Sequence, residues 1–408
     1  MSTEPRNTTE PRNTAGPRRT AGPRLAIVGA GPAGLMCARM LYRYGIPATV
    51  YDADPSLSSR DAGGSLDMHA DTGQIALADA GLLDAFTALA RYEDQAKRRV
   101  DQHGTELAAF VPDADDDAAP EIDRGQLRRL LADSLPADTV HFGHRLARVD
   151  PAGDGYRLRF TDGGHADADL VVGADGAWSR VRPLVTGATP AYSGVSFVEV
   201  RFDDVTARHP AIAALVGAGH LFAHDGAGRA IVAQRNSGGQ IRCYLSMRIE
   251  ADWPRRAGIA ADDEAAVRRY LLDAYDGWDA RFRPLLTDTD AGYLHRPIHA
   301  LPAGLTWPHR PGVTLVGDAA HVMPPLGGWG ANLALLDAAE LATAIATRPA
   351  ETALAGYERR MWARSAPLAV AAGEGLARFA GAADQIPDHR AEHQRYRADA
   401  AAYRAARA

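Results

Sequence analysis

The chain has 408 residues, of which 46% are hydrophobic and 24% charged, and its formal net charge is −6. This composition is that of a globular protein and excludes a collagen, a coiled coil or a wholly disordered chain. The length favours more than one folding unit. No apolar run is long enough to span a membrane and no signal-like segment starts the chain, so we expect no membrane association.

The cysteines and the basic residues narrow the classes of function further. Cys37 and Cys243 are the only cysteines. They exclude a disulfide framework and show no metal-ligand spacing, so we expect a reducing, cytoplasmic environment and no bound metal. The 45 basic residues are 44 arginines and the single Lys97, dispersed among 51 carboxylates. Charge dispersed in this way predicts no nucleic-acid partner.

Residues 1–23 form a degenerate six-residue repeat, TEPRNT, TEPRNT, AGPRRT, AGP. Proline recurs in every repeat, and apart from Met1 and the prolines the segment has no apolar residue larger than alanine. The segment has nothing to bury, so we predict a disordered leader over residues 1–23.

A strand, a glycine-rich turn and a helix follow the leader. Residues 25–28 are continuously apolar, residues 29–34 read GAGPAG, and a second predicted strand ends at Asp52. In a strand–turn–helix unit the first glycine permits the turn, the second lets a pyrophosphate approach the backbone, and the third lets helix and strand pack closely. The helix N-terminus favours phosphate, and Asp52 is placed to accept hydrogen bonds from ribose hydroxyls. The unit predicts a dinucleotide site.

Two further apolar strands, at residues 169–173 and 313–317, each end in a glycine and an aspartate, Asp175 and Asp318. Ligands of open α/β sheets bind beyond the carboxyl ends of the strands, so we expect both aspartates near the dinucleotide. The second strand leads through GDAAHVMPP to a glycine-rich loop before an apolar helix. Such a loop at a helix N-terminus is suited to a negatively charged group.

The segments between these strands, Ser193–Asp204 and Gly228–Arg248, alternate apolar and polar residues and predict antiparallel strands. The fold class is therefore α/β, a parallel nucleotide-binding sheet with an inserted, mostly antiparallel β domain and C-terminal helices. The predicted boundaries are residues 24–190 and 293–350 for the nucleotide-binding domain, 191–292 for the insertion and 351–408 for the helices.

The three motifs in this order resemble the single-component FAD-dependent aromatic hydroxylases, the para-hydroxybenzoate-hydroxylase class. Within that class the chain is most similar to the flavin-dependent tetracycline monooxygenases. The strings that carry this likeness, from about residue 24 to at least residue 365, are GGSLDMH with TGQ, AGLLDAF, DRGQL, WD and GDAAHVMPP.

The resemblance implies that the parallel-sheet domain is a Rossmann-like FAD site. It places most of the cofactor contacts at the turns and one arginine, Arg124, beside the pyrophosphate or the ribityl chain. The predicted cofactor-binding residues are Gly29, Gly31, Pro32, Ala33, Gly34, Asp52, Arg124, Asp175, Gly176, Gly317, Asp318, Pro325, Gly328, Gly330 and Asn332.

The same resemblance places substrate contacts at Glu199, His220 and Arg242, with Trp329 beside the flavin ring. The relatives have glutamine, arginine and histidine at the first three positions and usually glutamine at the fourth, so tetracycline itself is not the expected substrate. A further departure is Ala53, where many relatives have an arginine after the ribose-binding acid.

The implied reaction is a monooxygenation. NADPH or NADH reduces FAD, O2 forms a flavin C4a-hydroperoxide, and oxygen passes to a bulky aromatic or polycyclic enol or phenol. The resemblance implies flavin-mediated chemistry with no side-chain nucleophile. Hydroxylation, epoxidation and Baeyer–Villiger insertion all remain open, and we expect a monomer.

Three rival functions share parts of this pattern. An oxygen-independent FAD dehydrogenase keeps the same FAD motifs, and a non-enzymatic flavin- or ligand-sequestering protein keeps the β insertion as a binding floor. A flavin-dependent halogenase needs a suitably placed lysine and a Trp-x-Trp string. Lys97 is poorly placed in the sequence for that role, so we disfavour the halogenase.

Overall fold

The computed structural model describes residues 23–59, 63–260, 262–379 and 387–407. The predicted disordered leader, apart from Pro23, lies outside the described residues. The strands are β1 (Leu25–Val28), β2 (Ala48–Tyr51), β3 (Ser65–Asp67), β4 (Lys97–Asp101), β5 (Glu106–Phe110), β6 (Glu121–Asp123), β7 (Val140–His141), β8 (Leu146–Ala152), β9 (Gly155–Phe160), β10 (His165–Ala168), β11 (Leu170–Gly173), β12 (Ala191–Phe202), β13 (His220–His224), β14 (Arg229–Asn236), β15 (Gln240–Arg248), β16 (Leu294–Ala300) and β17 (Val313–Leu315).

Helices connect the strands and close the chain. They are α1 (Pro32–Arg43), α2 (Gly73–Asp79), α3 (Leu83–Thr87), α4 (Arg124–Asp133), α5 (Val205–Arg208), α6 (Pro210–Val216), α7 (Trp253–Arg256), α8 (Glu264–Ala274), α9 (Arg283–Thr287), α10 (Asp318–His321), α11 (Trp329–Thr347), α12 (Ala350–Phe379) and α13 (His389–Ala405).

The predicted parallel sheet is present. Its strand order is β17-β11-β1-β2-β7, and every neighbouring pair is parallel. β1, β11 and β17 are wholly buried, which explains why their sequences are continuously apolar rather than alternating. Because the strands are parallel, the turns that follow β1, β11 and β17 all emerge at one edge of the sheet.

The second large sheet has seven strands in the order β16-β12-β15-β14-β13-β4-β5. Its neighbours pair antiparallel except β13 with β4, which are parallel. The predicted insertion over 191–292 leaves out β4, β5 and β16, which reach this sheet from other parts of the chain. Tertiary pairing, rather than local pattern, recruits these three strands.

The seven-stranded sheet has one apolar and one polar face. Val198, Val200 and Phe202 of β12 are buried in a core beneath the sheet. Glu199 alternates with them and opposes Tyr244 of β15 on the other face. That polar face looks toward the parallel-sheet domain, because a Cβ on Gly64 of that domain would lie 2.5 Å from the Tyr244 hydroxyl.

The two C-terminal helices agree with the prediction. α13 packs back on the body of the protein: Arg397 donates to Asp116 at 2.7 Å, and the ring of Tyr396 stacks on His69 with centroids 4.2 Å apart. In the part of the chain that the structure describes, no helix is long and apolar enough to cross a membrane.

Candidate active site

Two glycines of the GAGPAG turn are packed closely against backbone atoms, and the third borders open space. A Cβ on Gly29 would lie 2.3 Å from the carbonyl oxygen of Ala174, and a Cβ on Gly34 would lie 1.9 Å from that of Gly29. A Cβ on Gly31 would meet nothing within 4 Å. Gly31 precedes α1, whose first residue is Pro32. The open position therefore lies at a helix N-terminus, where backbone N–H groups favour a phosphate.

Asp52 lies directly after β2 and braces this turn. It is 7% exposed, and its carboxylate accepts hydrogen bonds from the backbone N–H groups of Ala30 at 2.5 Å and Asp54 at 2.8 Å. The buried Arg128 of α4 supports the same corner, since its Nε donates to the carbonyl oxygen of Ala30 at 2.8 Å and its Nη2 lies 3.0 Å from Asp54. A guanidinium thus lies beside Asp52 although Ala53 follows it in sequence.

The turn after β11 is closed by Asp175. Its carboxylate accepts hydrogen bonds from the Ser179 hydroxyl at 2.5 Å and from the backbone N–H of Arg180 at 2.6 Å. Burial raises the pKa of Asp175 from its ordinary value, although these hydrogen bonds act in the opposite direction. A Cβ on Gly176, which has a φ of +77°, would meet nothing within 4 Å. The aspartate holds its own turn, and the glycine leaves the surface beside it open.

The turn after β17 lies against the other two. A Cβ on Gly317 would lie 3.0 Å from that of Ala33 in the GAGPAG turn. Arg182 ties this turn to the Asp175 turn, because its Nε donates to the carbonyl oxygen of Ala319 at 2.8 Å and its Nη2 to that of Ala177 at 2.7 Å. The side chain of Asp318 is exposed and makes no hydrogen bond within the described residues. The three turns therefore converge, as the sequence predicts.

The glycine-rich loop is fixed by Asn332, which is 1% exposed. Its Oδ1 accepts from the backbone N–H of His69 at 2.8 Å, and its Nδ2 donates to the carbonyl oxygens of Asp67 at 2.7 Å and Gly328 at 2.9 Å. A Cβ on Gly328 would lie 2.2 Å from Asp67 Oδ1. Asn332 thus clamps the loop onto β3 at the N-terminus of α11.

The other predicted loop residues differ in their surroundings. Pro325 is exposed, and a Cβ on Gly330 would meet nothing within 4 Å. The ring of Trp329 lies over Gly327, whose Cβ would be 2.8 Å from it, and packs against a buried cluster that includes Ala372 of α12. This contact places the indole between the loop and a C-terminal helix.

Arg124 begins α4 and is exposed, with its backbone N–H donating to the carbonyl oxygen of Gly64 at 3.0 Å. A cavity of about 350 Å³ lies here, lined by Gly63, Arg128 and Arg242 among others. The open Gly31 position, the helix N-terminus and the guanidinium groups suit a pyrophosphate, and the exposed Asp318 suits a sugar hydroxyl. These residues fit FAD.

Glu199 and Arg242 form a buried ion pair on the polar face of the seven-stranded sheet. Arg242 Nη1 donates to Glu199 Oε1 at 2.6 Å, and Arg296 Nε of β16 donates to Glu199 Oε2 at 2.9 Å. Two guanidinium groups therefore contact one carboxylate. The sequence analysis did not predict Arg296, because only the pairing of β12 with β16 brings it to Glu199.

His220 lies deeper, with its Nε2 3.2 Å from Oε1 of Glu121. The two side chains are 5% and 1% exposed. Burial and the nearby Asp67 carboxylate raise the pKa of Glu121 to about 8, and burial and the Lys97 charge lower the pKa of His220 to about 3. Burial therefore favours the uncharged form of both groups.

The comparisons with known proteins agree with this geometry. The family model described as an FAD binding domain matches residues 24–359. The monooxygenase asqM of Emericella nidulans is 30% identical over 411 residues, covering 84% of this chain and 92% of its own. The chain belongs to the FAD-dependent monooxygenases.

Solved structures show the same fold. The structure of Klebsiella pneumoniae HpxO complexed with FAD and uric acid has a TM-score of 0.73 and 26% identity, and the match covers 92% of each chain. The tetracycline destructase Tet(51) has a TM-score of 0.66 and 19% identity, covering 94% of this chain and 98% of its own. The family prediction and the fold class are therefore confirmed.

The sequence prediction missed several residues that organise this flavoprotein site. Arg182 follows the predicted Asp175 turn, and Asp67 and His69 lie inside the quoted GGSLDMH string. The motifs next to these residues were visible in the sequence. The hydrogen bonds that give the residues their roles, however, join segments that are far apart in sequence. No sequence pattern pointed to Glu121, because its role depends on burial next to His220.

Proposed function

We propose that this FAD-dependent monooxygenase uses NADPH or NADH and O2 to hydroxylate a bulky aromatic or polycyclic enol or phenol, such as an antibiotic-like natural product. The observation that carries the proposal is the convergence of the three turns on the open Gly31 position, beside a polar sheet face. The substrates named for similar proteins support the aromatic class: urate for Klebsiella pneumoniae hydroxylases and 3-amino-4-hydroxybenzoate for a Streptomyces cremeus enzyme.

The chain's own residues would bind and orient FAD. Gly31 and the N-terminus of α1 would receive the pyrophosphate, Arg124 would approach it from α4, and Asp318 would bond a ribityl hydroxyl. Asn332 holds the loop at the N-terminus of α11, whose dipole would stabilise negative charge on the ring system. When bound, FAD supplies electron transfer and oxygen activation.

The polar sheet face would hold the substrate. Arg242 and Arg296 would orient an oxygen anion of an enol or phenol, because a guanidinium donates charge-assisted hydrogen bonds to anionic oxygen. The packed glycine loop and the sheet would exclude bulk water from the reacting atoms. The face carries different polar groups from those of the tetracycline enzymes, so we expect a different substrate.

The first experiment measures the cofactor. Purified protein should be yellow and should release FAD on denaturation. Asp318→Ala should retain less FAD, whereas Asp138→Ala, a change outside the predicted site, should retain it fully. Protein that stays colourless after reconstitution with FAD would overturn the proposal.

The second experiment measures turnover with 2-naphthol, urate and tetracycline as probes. Oxidation of NADPH and of NADH, O2 uptake and incorporation of labelled oxygen from O2 into product should rise together with an accepted substrate. Turnover that persists without O2 would identify the dehydrogenase alternative instead. Binding of FAD and probe without any substrate-stimulated NAD(P)H oxidation would favour the sequestering alternative. The two donors, compared side by side, would also settle the coenzyme preference.

A further inference from the structure

A second cavity, of about 280 Å³, lies where β4, β5 and β13 meet the start of α13. We name it the edge cavity. Two aromatic rings, Phe110 and Phe222, contribute to its walls, together with Ala108 and Val111. Its volume is close to that of pockets that enclose a small ring system.

Six residues with ionisable side chains line the edge cavity: Lys97, Arg98, Arg99, Asp388, His389 and Arg390. Several of these side chains already have partners. Arg98 lies 3.3 Å from a carboxylate oxygen of Glu106, and Arg390 lies 2.9 Å from one of Asp113. Asp388 caps α13 by accepting from a backbone N–H at 3.0 Å.

Lys97 and Arg99 form no ion pair among the residues that the structure describes, although Asp67, Glu121 and Glu392 act on the Lys97 charge from farther away. Within the described ranges, no carboxylate oxygen lies within 4.0 Å of the Lys97 ammonium or the Arg99 guanidinium. Arg99 lies over the ring of Phe222, with Cζ 5.8 Å from the ring centroid. Burial lowers the pKa of Arg99, and no neighbouring carboxylate offsets that effect. Arg99 is thus a partly buried cation without a counter-charge, which favours an anionic ligand, and the Lys97 ammonium adds positive charge beside it.

Cross-strand pairs connect one wall residue of the edge cavity, Lys97, with the predicted substrate residues. Lys97 opposes His220, His220 opposes Gln234, and Gln234 opposes Arg242 across four neighbouring strands. Cross-strand partners stand on the same face of a sheet. One row of side chains therefore leads from Lys97 to the Glu199–Arg242 ion pair.

We propose that the edge cavity binds an aromatic carboxylate, with Lys97 and Arg99 holding the carboxylate and Phe110 and Phe222 packing on the ring. This inference rests on the proposed function, because it makes the ligand the substrate or an acidic part of it. Charge-assisted hydrogen bonds from two cations supply the binding energy, and the rings select an aromatic body over a small inorganic anion.

The test compares 2-naphthoate with its neutral counterpart 2-naphthamide by isothermal titration calorimetry on the FAD-loaded protein. Naphthoate should bind more tightly than naphthamide. Lys97→Gln and Arg99→Gln should each weaken naphthoate binding about tenfold or more, and the naphthamide affinity should change little. Arg148→Gln, on an exposed arginine of β8 whose side chain is 64% exposed, is the matched control and should leave both affinities unchanged.

Naphthoate and naphthamide binding equally well, or both cavity variants binding naphthoate like the wild type, would overturn the inference. Displacement of naphthoate by an equal concentration of inorganic phosphate would also overturn the inference, because a site for anions in general does not require aromatic rings. FAD content is measured on every variant as the folding control. The binding test is independent of turnover, so a protein with full oxygenase activity and no preference for naphthoate refutes this inference alone. Conversely, protein that cannot be loaded with FAD but prefers naphthoate refutes the proposed function alone.

Discussion

Arg182 donates from Nε to the carbonyl oxygen of Ala319, 2.8 Å away and buried in the protein. The donor follows the turn after β11, and the acceptor belongs to the turn after β17. The same guanidinium donates from Nη2 to the carbonyl oxygens of Ala177 and Asp318. One side chain therefore fixes the spacing of two of the three turns that form the candidate flavin site.

Replacing Arg182 should loosen both turns. Arg182→Met leaves four carbonyl oxygens without their donor. We therefore expect a loss of about 3 kcal/mol in the free energy of unfolding and weaker FAD retention. Urea denaturation and the flavin-to-protein absorbance ratio measure the two effects. Arg180→Met is the control, because Arg180 is exposed on the same turn. Equal FAD content in both variants would contradict the role given to Arg182.

The glycines of the GAGPAG turn should respond differently to the same change. Gly31→Ala places a methyl group in open space, so the stability of the apoprotein should change by no more than about 1 kcal/mol. If the pyrophosphate lies there, the Kd for FAD should rise about tenfold or more, equivalent to about 1.4 kcal/mol.

Gly34→Ala is the matched variant, since its methyl group would meet the carbonyl oxygen of Gly29. It should destabilise the apoprotein by about 3 kcal/mol or more through overpacking. Thermal unfolding of the apoproteins and titration with FAD separate the two effects. Wild-type FAD affinity in Gly31→Ala would place the pyrophosphate elsewhere.

Glu121 should make stability depend on pH. Its pKa is raised from 4.5 to about 8, so the folded state holds the proton more tightly than the unfolded state does. The corresponding stability is complete below about pH 4.5 and is lost as the pH rises through about 8, at up to about 1.4 kcal/mol per pH unit. Ser65 and His220 contact Glu121, and Asp67, Arg91 and Lys97 are the nearby charges.

Glu121→Gln removes this titration, so its free energy of unfolding should fall less steeply between pH 5 and 8. His220 acts in the opposite sense, because its lowered pKa makes stability fall as the pH drops from 6.5 toward about 3. Urea titrations at several pH values measure both the loss of stability at high pH and the loss at low pH. Parallel curves for the variant and the wild type above pH 5 would contradict the assignment.

Changes at the Glu199–Arg242 pair should alter substrate choice. Glu199→Gln leaves Arg242 and Arg296 with less counter-charge, so binding of anionic aromatic probes should strengthen relative to neutral ones of the same shape. The FAD content should not change. Kd values for paired probes, measured together with flavin absorbance, check both statements. A loss of FAD in this variant would show that the pair belongs to the cofactor site.

The parallel-sheet unit and the family could both be predicted from the amino-acid sequence. Local features were sufficient there: continuously apolar strands are typical of a buried parallel sheet, and glycines at fixed spacing indicate a turn with close backbone contacts. Gly29 and Gly34 show why, since no larger residue fits against Ala174 and Gly29. The convergence of the three turns also follows from the parallel order of their strands.

Which side chains meet on the polar face could be learned only from the folded chain. Arg296 reaches Glu199, and Lys97 aligns with His220, through pairing between strands that are far apart in sequence. Such pairs depend on strand order and register, which no local pattern encodes. The raised pKa of Glu121 has the same origin, because burial and neighbouring charges are properties of the folded chain.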